Sequence, residues 1–257
     1  MQPEDMEQAP AWAAPEEVVP ESAPVLPERV PFWGYGDLAL VMGLLFAAMV
    51  LIGLVAGGLL YAYPKLQTDQ TPLLVPMNLV LYGALYLSLW CAFKFRYERP
   101  VMRSLGWVRP STNLAWMVGG GVVLALLLSV LASAIHTPKI PTPFDKLTGS
   151  PGELALFGIM AVAIAPLFEE LFFRGFIQPL FSRTFGTVAG VLLTAAIFGC
   201  LHLVEYAYAW QYAVFISLAG AVFGWLRVRT KSIIPSTVMH GAFNAVSVIA
   251  LAFGKNI

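Results

Sequence analysis

Two adjacent carboxylates and an arginine interrupt an otherwise apolar stretch of this sequence. Glu169, Glu170 and Arg174 lie among alanine, isoleucine, leucine and phenylalanine residues in a segment that covers about residues 153–181. A charged side chain at the centre of a bilayer costs at least ~2.5 kcal/mol on insertion scales. These three charges therefore need partners, and charges held in such a place are typical of a functional site.

Helical spacing divides the three charges into a pair and a single carboxylate. Glu170 and Arg174 are four residues apart, so they share one face of a helix and are expected to form an ion pair. The spacing leaves open that this pair is purely structural. Glu169 points about 100° away from Glu170, so its partner must come from another helix.

Three more polar side chains lie in the later apolar segments and are candidate partners for Glu169. His202 follows Phe198 by one helical turn, and His240 and Asn244 share one face of the last segment. A buried carboxylate beside an imidazole can take a proton from a water held between them. A second imidazole and an amide can donate hydrogen bonds to an oxyanion. These residue types fit hydrolysis of an acyl bond with water as the nucleophile.

The depth of each side chain in its segment shows whether the groups can meet. Glu169 lies ~21 Å of helix before Arg183 and His202 lies ~22 Å of helix after Thr187, so their depths match. His240 lies only ~10 Å of helix after Ile233, which does not match. A tilted last helix, or a sunken loop before it, is needed to bring His240 to the same depth.

The same side chains are also ligand types that suit a metal ion. Glu169, His202 and His240 together would suit Zn²⁺. The His-Glu-x-x-His pattern, in which both histidines lie on one helix, is absent from this set. A site without metal or other cofactor is therefore favoured, and Zn²⁺ on these three side chains is the less favoured alternative.

The composition indicates a protein that faces lipid. Hydrophobic residues make up 58% of the 257 residues and charged residues 12%, about half of the ~25% typical of a soluble domain. The mean hydropathy is +0.74. The bilayer is therefore an expected partner. The formal net charge is zero, so the overall charge does not favour nucleic acid as a partner.

Seven apolar segments follow one another along the chain. They cover residues 38–63, 73–95, 114–135, 153–181, 187–204, 210–228 and 233–253. Pro166 removes a backbone donor just before Glu169 and is expected to kink the fourth segment. An eighth helix is left open, with the basic stretch 99–109 as a candidate interfacial helix. The predicted fold is an all-α, polytopic transmembrane bundle of about seven to eight helices.

The amino-terminal residues 1–37 differ from the rest of the chain. The first 31 residues contain seven acidic side chains, seven prolines and one arginine. Such a segment cannot bury enough apolar area to offset its ordering entropy. Residues 1–37 are therefore predicted to be a disordered tail, and residues 38–257 to be the transmembrane domain.

Basic residues predict the orientation of the chain in the membrane. Nine lysines and arginines lie at or after the ends of segments two, four and six, and three lie in the alternate loops. Because loops rich in basic residues stay in the cytoplasm, the amino terminus is predicted to be cytoplasmic. The compact size and the lack of a long targeting segment favour a bacterial plasma membrane.

The polar side chains of the later segments resemble the three motifs of the CPBP intramembrane proteases. That family includes CAAX proteases, bacteriocin-processing enzymes and Abi proteins. The resemblance covers about residues 150–252, and the first three segments match only as generic membrane helices. The motifs are Glu169-Glu170-x-x-x-Arg174, Phe198-x-x-x-His202 and His240-x-x-x-Asn244.

The resemblance implies a fold, an activity and a role for each residue. The fold would have roughly eight helices and a catalytic cavity within the membrane. The activity would be that of an endopeptidase, of the glutamate-dependent type rather than the metal-dependent type. Glu169 and His202 would activate water, while His240 and Asn244 would stabilise the oxyanion. The pair that would hold the site together is Glu170 and Arg174.

The implied substrate is a membrane-anchored protein or peptide, and two other functions compete with proteolysis. The family handles CAAX proteins, peptide leaders and carboxy-terminal anchors, and the sequence does not choose among them. Intramembrane Glu, His and Arg also serve proton relays, which makes a proton- or solute-coupled transporter one alternative. Transporters often show internal repeats, but residues 38–136 and 153–252 show none. A non-catalytic membrane scaffold or immunity protein is the other alternative.

Overall fold

A computed structural model describes residues 31–68, 71–140 and 150–253 of the chain. These residues form helices joined by loops and turns, so the predicted all-α, polytopic bundle is confirmed. We label the long helices in chain order. They are α1 (Tyr35–Ala62), α2 (Thr71–Tyr97), α3 (Leu114–Ala134), α4 (Pro151–Phe185), α5 (Thr187–Leu201), α6 (Trp210–Thr230) and α7 (Ile234–Ala252).

Helix α5 is shorter than the sequence predicts. Six of the long helices are apolar enough and long enough to cross a membrane, and α5 is the exception. It has 15 residues, or about 22 Å of helix, against a hydrocarbon core of ~30 Å. The predicted segment 187–204 is wrong at its carboxyl end, because the helix ends at Leu201 and the chain turns at His202.

No eighth long helix occurs among the residues that the structure describes. The two remaining helices in these ranges are single turns, Lys65–Thr68 and Val101–Ser104. The second of them lies within the basic stretch 99–109, where the sequence analysis placed a candidate interfacial helix. It is therefore a short connector between α2 and α3 and not a further span.

The folded domain begins before residue 38. Trp33 is 3% exposed, and its indole Nε1 donates to the backbone oxygen of Phe176 at 3.0 Å. Asp37 is also buried, and it accepts a hydrogen bond from the Tyr97 hydroxyl at 2.6 Å. The predicted boundary at residue 37 is therefore too late in the chain. Residues 1–30 lie outside the described ranges, so the disordered tail stays a prediction for them.

The basic ends of the helices lie on one side of the bundle. The Arg183 guanidinium, at the end of α4, donates to the backbone oxygen of Pro31 at 2.6 Å. The Ser232 hydroxyl, after α6, donates to the backbone oxygen of Val108, between α2 and α3, at 2.6 Å. The loops after α2 and α6 are therefore neighbours in the fold, and the end of α4 lies beside the chain that leads into α1.

Helix α4 runs through Pro166 without a break. Two π-helical stretches, Met160–Ile164 and Leu171–Ile177, lie on either side of a short α-helical piece, Ala165–Glu170. Because Pro166 has no N–H, carbonyl groups in the preceding turn lose their usual donor. The wider π-helical turn before the proline is where the helix accommodates this loss.

Candidate active site

A cavity of about 450 Å³ lies between α2, α4, α5, α6 and α7. Its wall contains apolar side chains such as those of Met160, Phe223 and Phe243. The polar side chains predicted to be catalytic all line this one cavity. They are Glu169, His202, His240 and Asn244.

The depth mismatch of His240 is resolved by a sunken loop before α7. Ser232 and Ile233, which precede the helix, are both 0% exposed. The Ile233 N–H donates to the backbone oxygen of Gly106 at 3.0 Å, which ties the loop to the connector after α2. Because α7 begins inside the protein, a few helical residues bring His240 level with the carboxylates of α4.

The Glu170–Arg174 ion pair forms as the spacing predicts. Both side chains are 0% exposed, and Arg174 Nη1 lies 2.9 Å from Glu170 Oε1. Arg174 Nη2 donates to the backbone oxygen of Gly220 at 2.9 Å. The guanidinium also lies 4.5 Å from the ring centroid of Phe198. Removal of either charge would leave the other buried without its counter-ion.

Two glycines of α6 make room for the polar side chains of α4. A Cβ atom at Gly220 would lie 3.0 Å from Arg174 Nη2, and one at Gly224 would lie 2.7 Å from Gln178 Oε1. Gln178 Nε2 donates to the backbone oxygen of Gly224 at 2.9 Å. Arg174 and Gln178 thus bind the carbonyl groups of Gly220 and Gly224, which are one helical turn apart on α6. Larger side chains at these two glycines would block both contacts.

His240 lies between the two carboxylates. Its Nδ1 is 3.2 Å from Glu170 Oε1, and because a carboxylate accepts, Nδ1 carries the proton and donates. Its Nε2 is 3.7 Å from Glu169 Oε2. The ring stacks on Phe223, with centroids 4.8 Å apart, and meets the edge of Phe198 at 5.7 Å. Packing and hydrogen bonding therefore fix the direction of Nε2 toward Glu169.

His202 occupies the carboxyl end of α5 and is held by its own helix. Its Nδ1 is 2.8 Å from the backbone oxygen of Phe198. A carbonyl oxygen only accepts, so Nδ1 must carry the proton. In the neutral ring, this leaves Nε2 as a hydrogen-bond acceptor, which is the state needed to receive a proton from water.

Asn244 binds the backbone of α4 where Pro166 has removed a donor. Its Nδ2 donates to the backbone oxygen of Ala161 at 2.8 Å. Ala161 lies five residues before Pro166, the interval of a π-helical hydrogen bond. The next carbonyl, of Val162, faces Gly241, where a Cβ atom would collide with it. Asn244 thus supports the helix with one amide hydrogen, while its side chain also lines the cavity.

We expect the Asn244→Ala variant to lose about 1–3 kcal/mol of unfolding free energy, because the Ala161 carbonyl is left without a donor. In a Pro166→Ala background the restored backbone N–H supplies that donor, so the same change should cost less. Thermal unfolding of the parent, both single variants and the double variant in one detergent measures this coupling. If the losses of unfolding free energy in the two single variants simply add up in the double variant, Asn244 does not replace the donor that Pro166 removes.

Two polar side chains of α2 that line the cavity were missed by the sequence analysis. Tyr82 of α2 donates from its hydroxyl to Glu169 Oε1 at 3.0 Å. Asn78, one helical turn earlier, also lines the cavity. The sequence contains a pattern that could have indicated them. Asn78 and Tyr82 are two polar residues four apart in an apolar segment, a spacing that puts both on one helix face.

The donor set does not form a ready metal site. Among residues 31–68, 71–140 and 150–253, no three His, Cys, Asp or Glu side chains lie close enough together to hold a metal ion. The described side chains, as they are placed, therefore do not fit a bound metal ion.

The fold and the cavity define a polytopic integral membrane protein with charged side chains buried between its helices. Residues 151–246, which contain all three motifs, match the family described as "Type II CAAX prenyl endopeptidase Rce1-like". The resemblance to the CAAX proteases of the CPBP family is thereby confirmed for this part of the chain.

A bacterial relative extends the similarity toward the amino terminus. The uncharacterized protein YyaK of Bacillus subtilis (strain 168) is 26% identical over 225 aligned positions, which cover 77% of this chain and 74% of the relative. No solved structure is significantly similar to this chain. The family description thus rests on the region that holds the site.

Proposed function

We propose that this protein is an intramembrane endopeptidase that hydrolyses a peptide bond of a membrane-associated protein or peptide. The observation that carries the proposal is the meeting of Glu169, His202 and His240 in one largely apolar cavity, within the region that matches a protease family. The Glu169 side chain is 18% exposed, whereas that of Glu170 is 0% exposed. Only the first of these carboxylates is open to a water and a substrate.

The proposed reaction uses water as the nucleophile. Glu169, assisted by Nε2 of His202, takes a proton from the water, whose oxygen attacks the carbonyl carbon of the scissile bond. The oxyanion that forms accepts hydrogen bonds from Nε2–H of His240 and from the amide of Asn244. The intermediate then collapses with cleavage of the C–N bond, and the proton held by Glu169 passes to the departing nitrogen.

The charges of the cluster support the oxyanion role of His240. Nδ1 already donates to Glu170, so Nε2 can donate to an oxyanion only if the ring is protonated on both nitrogens. With that imidazolium, two carboxylates face two cations, His240 and Arg174. A net-neutral cluster avoids the large cost of leaving one charge uncompensated in an apolar environment.

The substrate and the orientation are proposed on different grounds. A prenylated CAAX protein follows from the family description, while a leader peptide or a carboxy-terminal membrane anchor would also enter an apolar cavity. The grouping of the basic loops on one side supports a cytoplasmic amino terminus, and the similarity to a Bacillus subtilis protein supports a bacterial plasma membrane.

Reconstituted protein in lipid vesicles tests the activity and the metal-free mechanism together. The substrates are a prenylated CAAX peptide, the same peptide without lipid, and a transmembrane peptide. We expect cleavage of at least one of them, detected by mass spectrometry, and the same rate after treatment with a strong chelator. Loss of activity with chelator and recovery with Zn²⁺ would replace this mechanism by a metal-dependent one. The absence of cleavage, together with proton uptake by the vesicles, would favour a transporter.

A further inference from the structure

The hydroxyl of Tyr82 is the direct hydrogen-bond donor to the Glu169 carboxylate within the described part of the chain. The donor–acceptor distance, to Oε1, is 3.0 Å. The second oxygen, Oε2, lies 3.7 Å from His240 Nε2, which is longer than a direct hydrogen bond. The two oxygens of Glu169 therefore have different surroundings, and Tyr82 is what distinguishes them.

The position of the Tyr82 hydroxyl is set by packing. Its ring lies parallel to that of Phe168, with centroids 5.3 Å apart and an angle of 9° between the planes. Phe168 is the residue next to Glu169 in α4, so one stacking contact fixes the phenol relative to the carboxylate. The phenol comes from α2, outside the region that carries the three motifs, and it also lines the cavity.

Glu169 needs such a restraint more than Glu170 does. Glu170 is held by Arg174 at 2.9 Å and by His240 at 3.2 Å. Glu169 has no cation on its own helix at pairing distance among the described residues. A carboxylate bound on one oxygen keeps its other oxygen in a defined direction, which a general base requires. A misplacement of about 1 Å at such a group can cost roughly 10²-fold in rate.

We propose that Tyr82 is a positioning residue for the general base, fixing Glu169 so that Oε2 faces the water and His240. This inference rests on the proposed protease function. The phenol keeps its proton and forms no bond to the substrate, so it acts through Glu169. The first three helices thereby contribute to the site and are not only a membrane anchor.

The Tyr82→Phe variant tests the inference, because it removes the hydroxyl and keeps the ring on Phe168. Tyr86→Phe is a matched control, since Tyr86 lies one turn later and meets the same Phe168 ring at 6.4 Å. We expect Tyr82→Phe to lower kcat about ten- to a hundredfold with KM unchanged, and to lower the thermal unfolding midpoint by no more than the loss of one hydrogen bond accounts for. Tyr86→Phe should leave all three quantities as in the parent.

The outcomes separate this inference from the proposed function. If Tyr82→Phe retains the parental kcat while Glu169→Gln is inactive, the positioning role is wrong and the protease function stands. A raised KM at constant kcat would make Tyr82 a substrate contact, and a lowered unfolding midpoint at the parental kcat would make its role structural; either result overturns the inference. If Glu169→Gln cleaves as well as the parent, the proposed function itself fails, and the positioning role with it.

Discussion

Glu169→Gln is expected to lower the rate of peptide hydrolysis about 10³-fold or more. The substitution keeps the shape of the side chain and the hydrogen bond from Tyr82, but it removes the group that accepts the proton of water. Glu169 is also the carboxylate of the pair that is open to the cavity. The measurement is kcat with a cleavable peptide in lipid vesicles, with parent and variant at equal reconstituted amounts.

The control for Glu169→Gln lies on the same helix. Glu153 is exposed in the first turn of α4, so Glu153→Gln makes the same chemical change away from the cavity. Its hydrolysis rate should equal that of the parent, and the thermal unfolding midpoints of both variants should stay close to the parental value. A Glu169→Gln variant that cleaves at the parental rate would remove the basis of the proposed mechanism.

The different partners of Glu169 and Glu170 could be predicted from helical spacing alone. An interval of four residues fixes Glu170 and Arg174 on one face whatever the neighbours are, and the ion pair is present. The placement of both histidines in one cavity with Glu169 depended on more than local spacing. The depth of His240 followed from a buried loop around Ser232, whose contacts to the connector after α2 involve residues far apart in sequence.

Tyr82 shows why the sequence alone did not assign the remainder of the site. A tyrosine in an apolar segment is compatible with a core or an interfacial position. Its role depends on which helix lies beside α2, and the spacing of residues along α2 does not predict that neighbour. Asn244 illustrates the same limit, because its bond to the Ala161 carbonyl depends on a π-helical turn that only the folded backbone reveals.

The Arg174→Ala variant is expected to lose about 3–5 kcal/mol of unfolding free energy. The change leaves the buried Glu170 carboxylate with His240 as its remaining partner. Two carboxylates then face one cation, and an uncompensated buried charge costs this amount. It also removes the hydrogen bond to the Gly220 oxygen and the contact with the Phe198 ring. Thermal or denaturant unfolding in detergent measures the loss. Arg229→Met, at an exposed arginine of α6, is the control and should stay within about 0.5 kcal/mol of the parent.

Removal of both charges tests separately what the ion pair contributes to folding stability and what it contributes to hydrolysis. The double variant Glu170→Leu with Arg174→Met leaves no unpaired ion, and buried ion pairs replaced by apolar residues of similar volume are often neutral or more stable. We therefore expect most of the unfolding free energy to return. Hydrolysis should not return, because His240 Nδ1 loses its acceptor and its Nε2 is no longer held toward Glu169. If the double variant is as unstable as Arg174→Ala, the uncompensated charge is not the cause of the lost stability. If the double variant hydrolyses the peptide, the role of the pair is purely structural.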